Sequence, residues 1–223
     1  CHGNNHEILA HMTADEQREA LMEARELLTE AAGKAPLGFR MPEGEISEET
    51  LTIAKELGFT YSSSLSDDDV PYVREISGLL ELPIHWELFD LPYFVFTFDP
   101  PIPPGQSRSA RMDDVLKNWL YELKGARRFG TLFNLQLDPQ AIGEQGRIFM
   151  LEALLEELKK ADDVWVATGG EIAAHFGRSS TECNGPAVGG FDPVQDALRR
   201  VGFTVVHRGA VLEKDQHALF SGV

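Results

Sequence analysis

The sequence predicts an α/β fold, either a parallel sheet or a (β/α) barrel. Short apolar segments alternate with amphipathic helical segments over most of residues 1–176, and the connections between them are short. Polar side chains, among them Arg40, Asp90 and Asp138, follow directly after predicted strands. Functional residues of such folds collect at the carboxyl ends of the strands, so we expect these three side chains to face one pocket.

The predicted helices are placed by their capping residues. Thr13 followed by Glu16 is a capping box, and Thr168 followed by Glu171 is a second one. Ser47 is the expected N-cap of another helix. Apolar residues recur at helical spacing after each of these starts. The predicted helices cover residues 13–32, 48–57, 113–128, 146–160, 168–176 and 192–201.

The predicted strands are the apolar segments between these helices, bounded by Gly, Pro or Asp. They cover residues 37–39, 59–61, 79–86, 131–137, 164–167 and 203–207. The proline-rich segment 98–105 predicts a stiff loop, because proline disrupts both helices and central strands. The aspartates at 67–69 are typical of a solvated loop or a helix N-cap. A calcium loop would need oxygen ligands that alternate over a longer segment.

Composition indicates a soluble globular domain and argues against several kinds of partner. The 223 residues are 43% hydrophobic and 25% charged, which allows a sizeable core. A formal charge of −16 argues against binding nucleic acid or an anionic membrane. No apolar segment reaches the length of a membrane span, and no signal peptide is visible. The two cysteines are too few for a disulfide framework, and this fits a cytoplasmic protein.

Residues 178–191 turn to Ser, Gly, Asn and Pro, which predicts a linker. We therefore expect three parts, a barrel at 1–177, this linker, and a C-terminal α/β extension at 192–223 of unknown role. The chain begins at Cys1, without methionine and within a motif, so we also expect that an upstream segment is missing from this sequence. Homo-oligomer formation is compatible with the composition.

The segment 2–7 places two histidines four residues apart in a polar loop that contains glycine. Neutral imidazoles such as those of His2 and His6 suit zinc and similar divalent metals. A catalytic metal also needs a third protein ligand, often a carboxylate, and an open position for water. The same spacing fits a turn in which the histidines only form hydrogen bonds. Glu7 either orients His6 or faces water.

Several motifs occur in an order that resembles the polysaccharide deacetylase family, also called NodB-homology proteins or carbohydrate esterase family 4. The resemblance covers residues 1–176 and is closest to a cytoplasmic branch with peptidoglycan-deacetylase-like, cyclic-imidase-like and allantoinase-like proteins. The motifs are His-Gly-Asn-Asn-His, Arg-Met-Pro, Tyr-Ser-Ser-Ser-Leu, Asp-Leu-Pro-Tyr, Phe-Asp-Pro-Pro and Leu-Gln-Leu-Asp-Pro-Gln, at residues 2–6, 40–42, 61–65, 90–93, 98–101 and 135–140.

The resemblance implies a distorted, incomplete (β/α) barrel of the NodB type that lacks its first strands in this chain. It implies a metal-dependent hydrolase of non-peptide carbon–nitrogen bonds, such as those of an N-acetyl sugar or a cyclic amide or imide. A divalent metal, expected to be zinc, would be bound by His2 and His6. Arg40 would orient a catalytic aspartate, and Asp90 and Tyr93 would lie on the substrate side. An aspartate after a strand can equally cap a turn.

Two departures from the family pattern matter for the predicted chemistry. The first motif, a strand ending in paired aspartates that supply a metal ligand and the catalytic base, is not found in these 223 residues. Asp138 stands where the family has a histidine that protonates the leaving amine. An aspartate with a pKa near 4 is a poor proton donor at neutral pH unless burial or a neighbouring anion raises that pKa.

These departures leave other interpretations open. One is a catalytically inactive deacetylase-like protein that binds a ligand or has a regulatory role. Another is that Cys1 is a processed N-terminal nucleophile, although truncation explains that cysteine more simply. Trp86 and Trp119 both fall in apolar segments, so we predict core positions in preference to platforms for a sugar.

Overall fold

The computed structural model describes residues 1–42, 46–95 and 110–182, and side chains as far as residue 177. Within this part the helices are α1 (Ala14–Ala32), α2 (Glu48–Glu56), α3 (Leu91–Phe94), α4 (Met112–Phe129), α5 (Pro139–Ile142), α6 (Gln145–Lys160) and α7 (Gly169–Glu182). The strands are β1 (Gly38–Phe39), β2 (Tyr61–Ser62), β3 (Tyr72–Val73) and β4 (Leu80–Glu81). Two single 3₁₀ turns cover Leu9–His11 and Trp86–Leu88. No helix among the described residues is long and apolar enough to cross a membrane.

The strands form one sheet with the order β1-β2-β4-β3. β1, β2 and β4 are parallel, and β3 runs antiparallel to β4. The backbone of Cys1 pairs with β1 in the parallel direction. Its amino group donates to the Gly38 carbonyl at 2.8 Å, and the Arg40 N–H donates to the Cys1 carbonyl at 2.9 Å. The His2 loop therefore starts at the same edge of the sheet at which β1 ends.

The capping residues predicted from sequence are confirmed. Thr13 accepts from the Glu16 N–H, and the Glu16 carboxylate accepts from the Thr13 N–H at 2.8 Å, which completes the capping box of α1. Ser47 caps α2 by accepting from the Thr50 N–H. α1, α2, α4 and α6 all lie within two residues of their predicted bounds.

Two groups of buried apolar side chains hold these elements together. The first lies among α1, α2 and β1 and is made of Leu9, Leu21, Phe39, Met41, Leu51, Ile53, Ala54, Phe59 and Leu79. The second lies among α3 to α6 and is made of Leu88, Phe94, Val115, Trp119, Leu123, Ile142, Met150 and Leu154. Trp119 is fully buried in the second group, and its indole N–H donates to the Glu87 carbonyl at 2.9 Å. Its predicted core position is confirmed.

Two of the predicted strands are wrong. Among the described residues, 131–137 and 164–167 are not part of any ladder, and the first segment makes one parallel bridge, between Gln136 and Phe89. The physical reason is that this segment bonds to different partners in turn. Leu132 donates to the carbonyl of Asp69, whereas Gln136 donates to that of Leu88. No single neighbour runs alongside it for long enough to form a strand pair.

Other boundaries also differ from the prediction. The segment predicted as strand 79–86 ends in the 3₁₀ turn at Trp86–Leu88. Helix α7 continues to Glu182, five residues into the predicted linker at 178–191. The proline loop at 98–105, the helix at 192–201 and the strand at 203–207 lie outside the described residues. The division into barrel, linker and extension stays a prediction.

The close packing of Tyr61 against β1 makes a testable prediction. A methyl group at Gly38 would overlap the Tyr61 ring, so Gly38→Ala should lower the free energy of unfolding by about 1–3 kcal/mol. A methyl group at Gly125 in α4 would have nothing within 4 Å, so Gly125→Ala should raise the free energy of unfolding by about 1 kcal/mol through helix propensity. Urea denaturation of both variants tests this. If Gly38→Ala raised the free energy of unfolding as much as Gly125→Ala does, the Tyr61 ring would be free to move away from the added methyl group, and the prediction would be wrong.

Candidate active site

One cavity of about 1050 Å³ opens where the parallel strands end. It is lined by His2, His6, Arg40 and Asp138, four of the residues predicted from sequence, and by Trp86. The segments that follow β1, β2 and β4 all contribute to its wall. Arg40 and Asp138 therefore line one pocket together with the histidine loop, whereas Asp90, which was expected there too, does not line it.

The histidine loop is closed tightly enough to bring its two imidazoles together. The ring centroids of His2 and His6 are 5.0 Å apart. His6 has a φ of +62°, a backbone conformation that costs a residue with a Cβ roughly 1–3 kcal/mol. The Glu7 carboxylate fixes the turn by accepting from the N–H groups of Asn4 at 3.0 Å and Asn5 at 2.7 Å. Strain of this kind is often found at functional sites.

The Arg40 carbonyl orients the ring of His2. It lies 3.0 Å from Nδ1 of His2, so a proton on Nδ1 donates to the carbonyl and leaves the Nε2 lone pair available. Partial burial lowers the pKa of His2, the Arg40 carbonyl opposes this, and the neighbouring His6 lowers the pKa further. His2 is therefore neutral at physiological pH, which is the form that binds a metal.

The Arg40 side chain is fixed by a serine that sequence reasoning did not single out. Its Nε donates to the Ser63 carbonyl at 2.6 Å, and one terminal nitrogen donates to the Ser63 hydroxyl at 2.7 Å. Ser63 in turn donates to the Leu82 carbonyl at 2.8 Å, and the Asn134 amide donates to Ser63 at 3.0 Å. The available signals were the run of serines after a predicted strand and the place of Ser63 in the Tyr-Ser-Ser-Ser-Leu motif.

Asp90 lies beneath the cavity and not on its surface. It is fully buried, and both of its carboxylate oxygens accept from the backbone N–H of Asp138 at 3.0 Å. Burial raises the pKa of Asp90, the Asp138 N–H opposes this, and the Asp138 carboxylate raises the pKa further. The Tyr93 hydroxyl donates to the Glu87 carbonyl at 3.2 Å, and its ring meets Trp119 edge-on. Substrate contact by Asp90 and Tyr93 stays a prediction.

Asp138 itself is the N-cap of α5. Its Oδ1 accepts from the N–H groups of Gln140 at 2.7 Å and Ala141 at 3.2 Å. The side chain thus acts as a hydrogen-bond acceptor at the cavity wall. A catalytic role for Asp138 stays a prediction.

The position of Trp86 corrects a prediction. This side chain was expected in the core, but it is 63% exposed and lines the cavity. It sits in the 3₁₀ turn that replaces the end of a predicted strand, and its ring lies 6.4 Å from that of Phe89. The exposure of Trp86 could not be predicted from the apolar residues around it in the sequence, because it depends on the direction in which the 3₁₀ turn extends from the sheet.

Two imidazoles that meet at one cavity fit the ligand preferences of zinc and similar divalent metals. The described residues contain no group of three or more His, Cys, Asp and Glu side chains placed to hold a metal. The donors present are therefore of the right kind, and metal binding by His2 and His6 stays a prediction.

Comparisons with known proteins agree with this architecture. A sequence model of the polysaccharide deacetylase family matches residues 1–62. A peptidoglycan deacetylase of Helicobacter pylori is 27% identical over an alignment of 204 residues, and the match covers 79% of this chain and 69% of that protein. A solved structure assigned as a polysaccharide deacetylase from Mycobacterium smegmatis is 34% identical, with a TM-score of 0.73, and covers 80% of this chain and 62% of that one.

The allantoinase Puue has the same fold, with a TM-score of 0.68 at 24% identity over 80% of this chain and 58% of its own. The fold is thus the distorted, partial (β/α) barrel of NodB-type proteins. The chain resembles the polysaccharide deacetylase family in sequence over residues 1–62 and in its fold. The predicted resemblance and the predicted fold class are both confirmed. The chain spans about three-fifths of the length of these two solved structures.

The cap at Asp138 gives a second prediction. Asp138→Ala should lower the free energy of unfolding by about 1 kcal/mol, because two N–H groups of α5 lose their acceptor. Asp138→Asn keeps a side-chain oxygen and should cost less than about half of that. Urea denaturation at neutral pH measures both. Equal losses in the two variants would mean that Oδ1 does not stabilise α5.

Proposed function

We propose that this protein is a metal-dependent hydrolase of non-peptide carbon–nitrogen bonds, acting on an amide such as that of an N-acetyl sugar or a cyclic amide or imide. The observation that carries the proposal is the meeting of His2, His6 and Arg40 at one cavity. The family resemblance and the names of two relatives, a peptidoglycan deacetylase and an allantoinase, support the same reaction class.

His2 and His6 would hold the metal, for which zinc is the best match to two imidazoles. A metal bound there would polarise the amide carbonyl and lower the pKa of a water molecule. The remaining steps belong to the chain itself. The Arg40 carbonyl holds the His2 ring in one orientation, and the Glu7 carboxylate holds the loop closed around it.

Arg40, which lines the cavity, would supply a fixed positive charge to it. Because Ser63 accepts from two of its nitrogens, the guanidinium needs little reorganisation when negative charge develops on the substrate. Arg40 can equally orient a carboxylate that acts as the base. Asp138 faces the same cavity as an acceptor, so we assign it the orientation of the substrate amide or of the leaving amine.

A second candidate is a protein that keeps the cavity for binding without turnover. It is favoured by Asp138, whose carboxylate caps α5 in place of the histidine expected from the family pattern. A zinc site with no hydrolysis of either substrate class would support this candidate.

Zinc titration and an activity assay separate these functions. Titration calorimetry should show zinc binding to the wild type, and affinity should fall at least about tenfold in His2→Ala and in His6→Ala. Release of acetate from N-acetylglucosamine oligomers, or ring opening of a cyclic imide, should fall about 100-fold or more in the same variants, because several kcal/mol of charge stabilisation is lost.

His11→Ala is the matched control, since His11 is an exposed histidine that does not line this cavity. It should leave both zinc affinity and turnover unchanged. Zinc binding that is the same in the wild type, His2→Ala and His6→Ala would contradict the metal site. Turnover that survives in both of those variants would contradict the proposed hydrolase.

The exposed ring of Trp86 makes a further prediction about the substrate. If the substrate carries a sugar or heterocyclic ring, Trp86 provides the apolar face on which that ring packs. Trp86→Ala should raise KM about three- to tenfold, for a loss of about 0.5–1.5 kcal/mol, with kcat nearly unchanged.

The control is Tyr121→Ala. Tyr121 is 70% exposed, and it lines neither this cavity nor the neighbouring cavity of about 780 Å³. Its substitution should leave KM unchanged. An equal KM in the wild type and in Trp86→Ala would remove Trp86 from the substrate site.

A further inference from the structure

Glu81 is a fully buried acidic residue that the proposed chemistry does not use. It is the last residue of β4 and is paired with Ser62 of β2 on one side and Tyr72 of β3 on the other. Placing a carboxylate in the interior costs several kcal/mol unless its hydrogen bonds compensate. The hydrogen bonds of Glu81 therefore indicate which part of the structure its buried carboxylate stabilises.

Those contacts are with the backbone of the serine loop that follows β2. Oε1 of Glu81 accepts from the N–H of Ser64 at 2.5 Å and from the N–H of Leu65 at 3.0 Å. Its Oε2 is buried and has no hydrogen-bond partner among the described residues. Burial raises the pKa of Glu81, while the N–H groups of Leu65 and Ser64 oppose this. The side chain thus holds two consecutive peptide groups of this loop.

The same loop holds the candidate site from its other side. Ser63 accepts from two nitrogens of Arg40, and the Ser64 hydroxyl accepts from the Met41 N–H at 3.0 Å. The loop therefore lies between Glu81 and Arg40 and contacts both. Burial lowers the pKa of Arg40, and the nearby Glu81 opposes this, so the two side chains also interact electrostatically.

We propose that Glu81 is a positioning residue for this site. By fixing the peptide groups of Ser64 and Leu65, it fixes the preceding residue Ser63, which determines where the Arg40 guanidinium lies. The role in catalysis rests on the proposed function, because it requires that Arg40 act on the substrate. The positioning of Arg40 is a property of the fold and can be measured without a substrate.

The test uses protein labelled with ¹⁵N-arginine and follows the Nε–H signal of Arg40, identified by its loss in Arg40→Lys. Glu81→Leu leaves the two loop N–H groups unpaired. It should shift this signal and speed its exchange with solvent about tenfold or more, since the Ser63 acceptor becomes mobile. Glu81→Gln keeps an acceptor oxygen and should leave the signal close to that of the wild type. In the active protein, Glu81→Leu should lower kcat more than it raises KM.

Gln17→Leu is the matched control. Gln17 is also a buried polar residue, and it accepts from the Thr50 hydroxyl between α1 and α2, away from the serine loop. It should destabilise the protein without changing the Arg40 signal. Glu81→Asp, whose shorter side chain cannot hold both N–H groups, gives the same test in a milder form if Glu81→Leu does not fold.

An unchanged Arg40 signal in Glu81→Leu, or in Glu81→Asp where only that variant folds, would overturn the proposal and leave Glu81 a purely structural role. A failure of the proposed function gives a different result. Zinc binding and turnover would then be absent from the wild type, while the response of Arg40 to Glu81 would persist.

Discussion

The candidate site depends on the parallel backbone pairing that joins Cys1 to β1. In this pairing the Cys1 nitrogen donates to the Gly38 carbonyl, and the Arg40 N–H donates to the Cys1 carbonyl. The histidine loop begins at the residue after Cys1, so it begins beside Arg40. The two hydrogen bonds place the first imidazole beside the Arg40 carbonyl, so that main-chain geometry sets the orientation of His2. Two further contacts then fix the same segments, the closure of the histidine loop by Glu7 and the anchoring of Arg40 on Ser63.

The helices could be predicted well because their determinants are local. Capping at Thr13 and at Ser47 depends on residues three positions apart, and these interactions formed as expected. The strands were harder, since an apolar segment becomes a strand only if a partner runs beside it. Residues 131–137 have the right composition, but Leu132 and Gln136 bond to unrelated parts of the chain.

At the candidate site, too, residues that a short segment of sequence identifies could be predicted, and residues that act through contacts with distant segments could not. His2 and His6 were predictable from their spacing, and Arg40 and Asp138 from their places after apolar segments and from the family resemblance. The residues that hold them were not predictable in this way. Ser63 reaches Arg40 across 23 positions, and Asp90 reaches Asp138 across 48. Such contacts exist only once the fold has brought separate segments together, which is also why Trp86 was misplaced.

The bond from Asp90 to position 138 has an evolutionary consequence. Because the buried carboxylate holds the main-chain N–H of Asp138, the anchor does not depend on which side chain that residue carries. Any residue other than proline offers the same N–H. The backbone at this point of the cavity can therefore stay in place while its side chain changes between imidazole and carboxylate. A scaffold built in this way can exchange one chemical group at the site without rebuilding the loop that presents it.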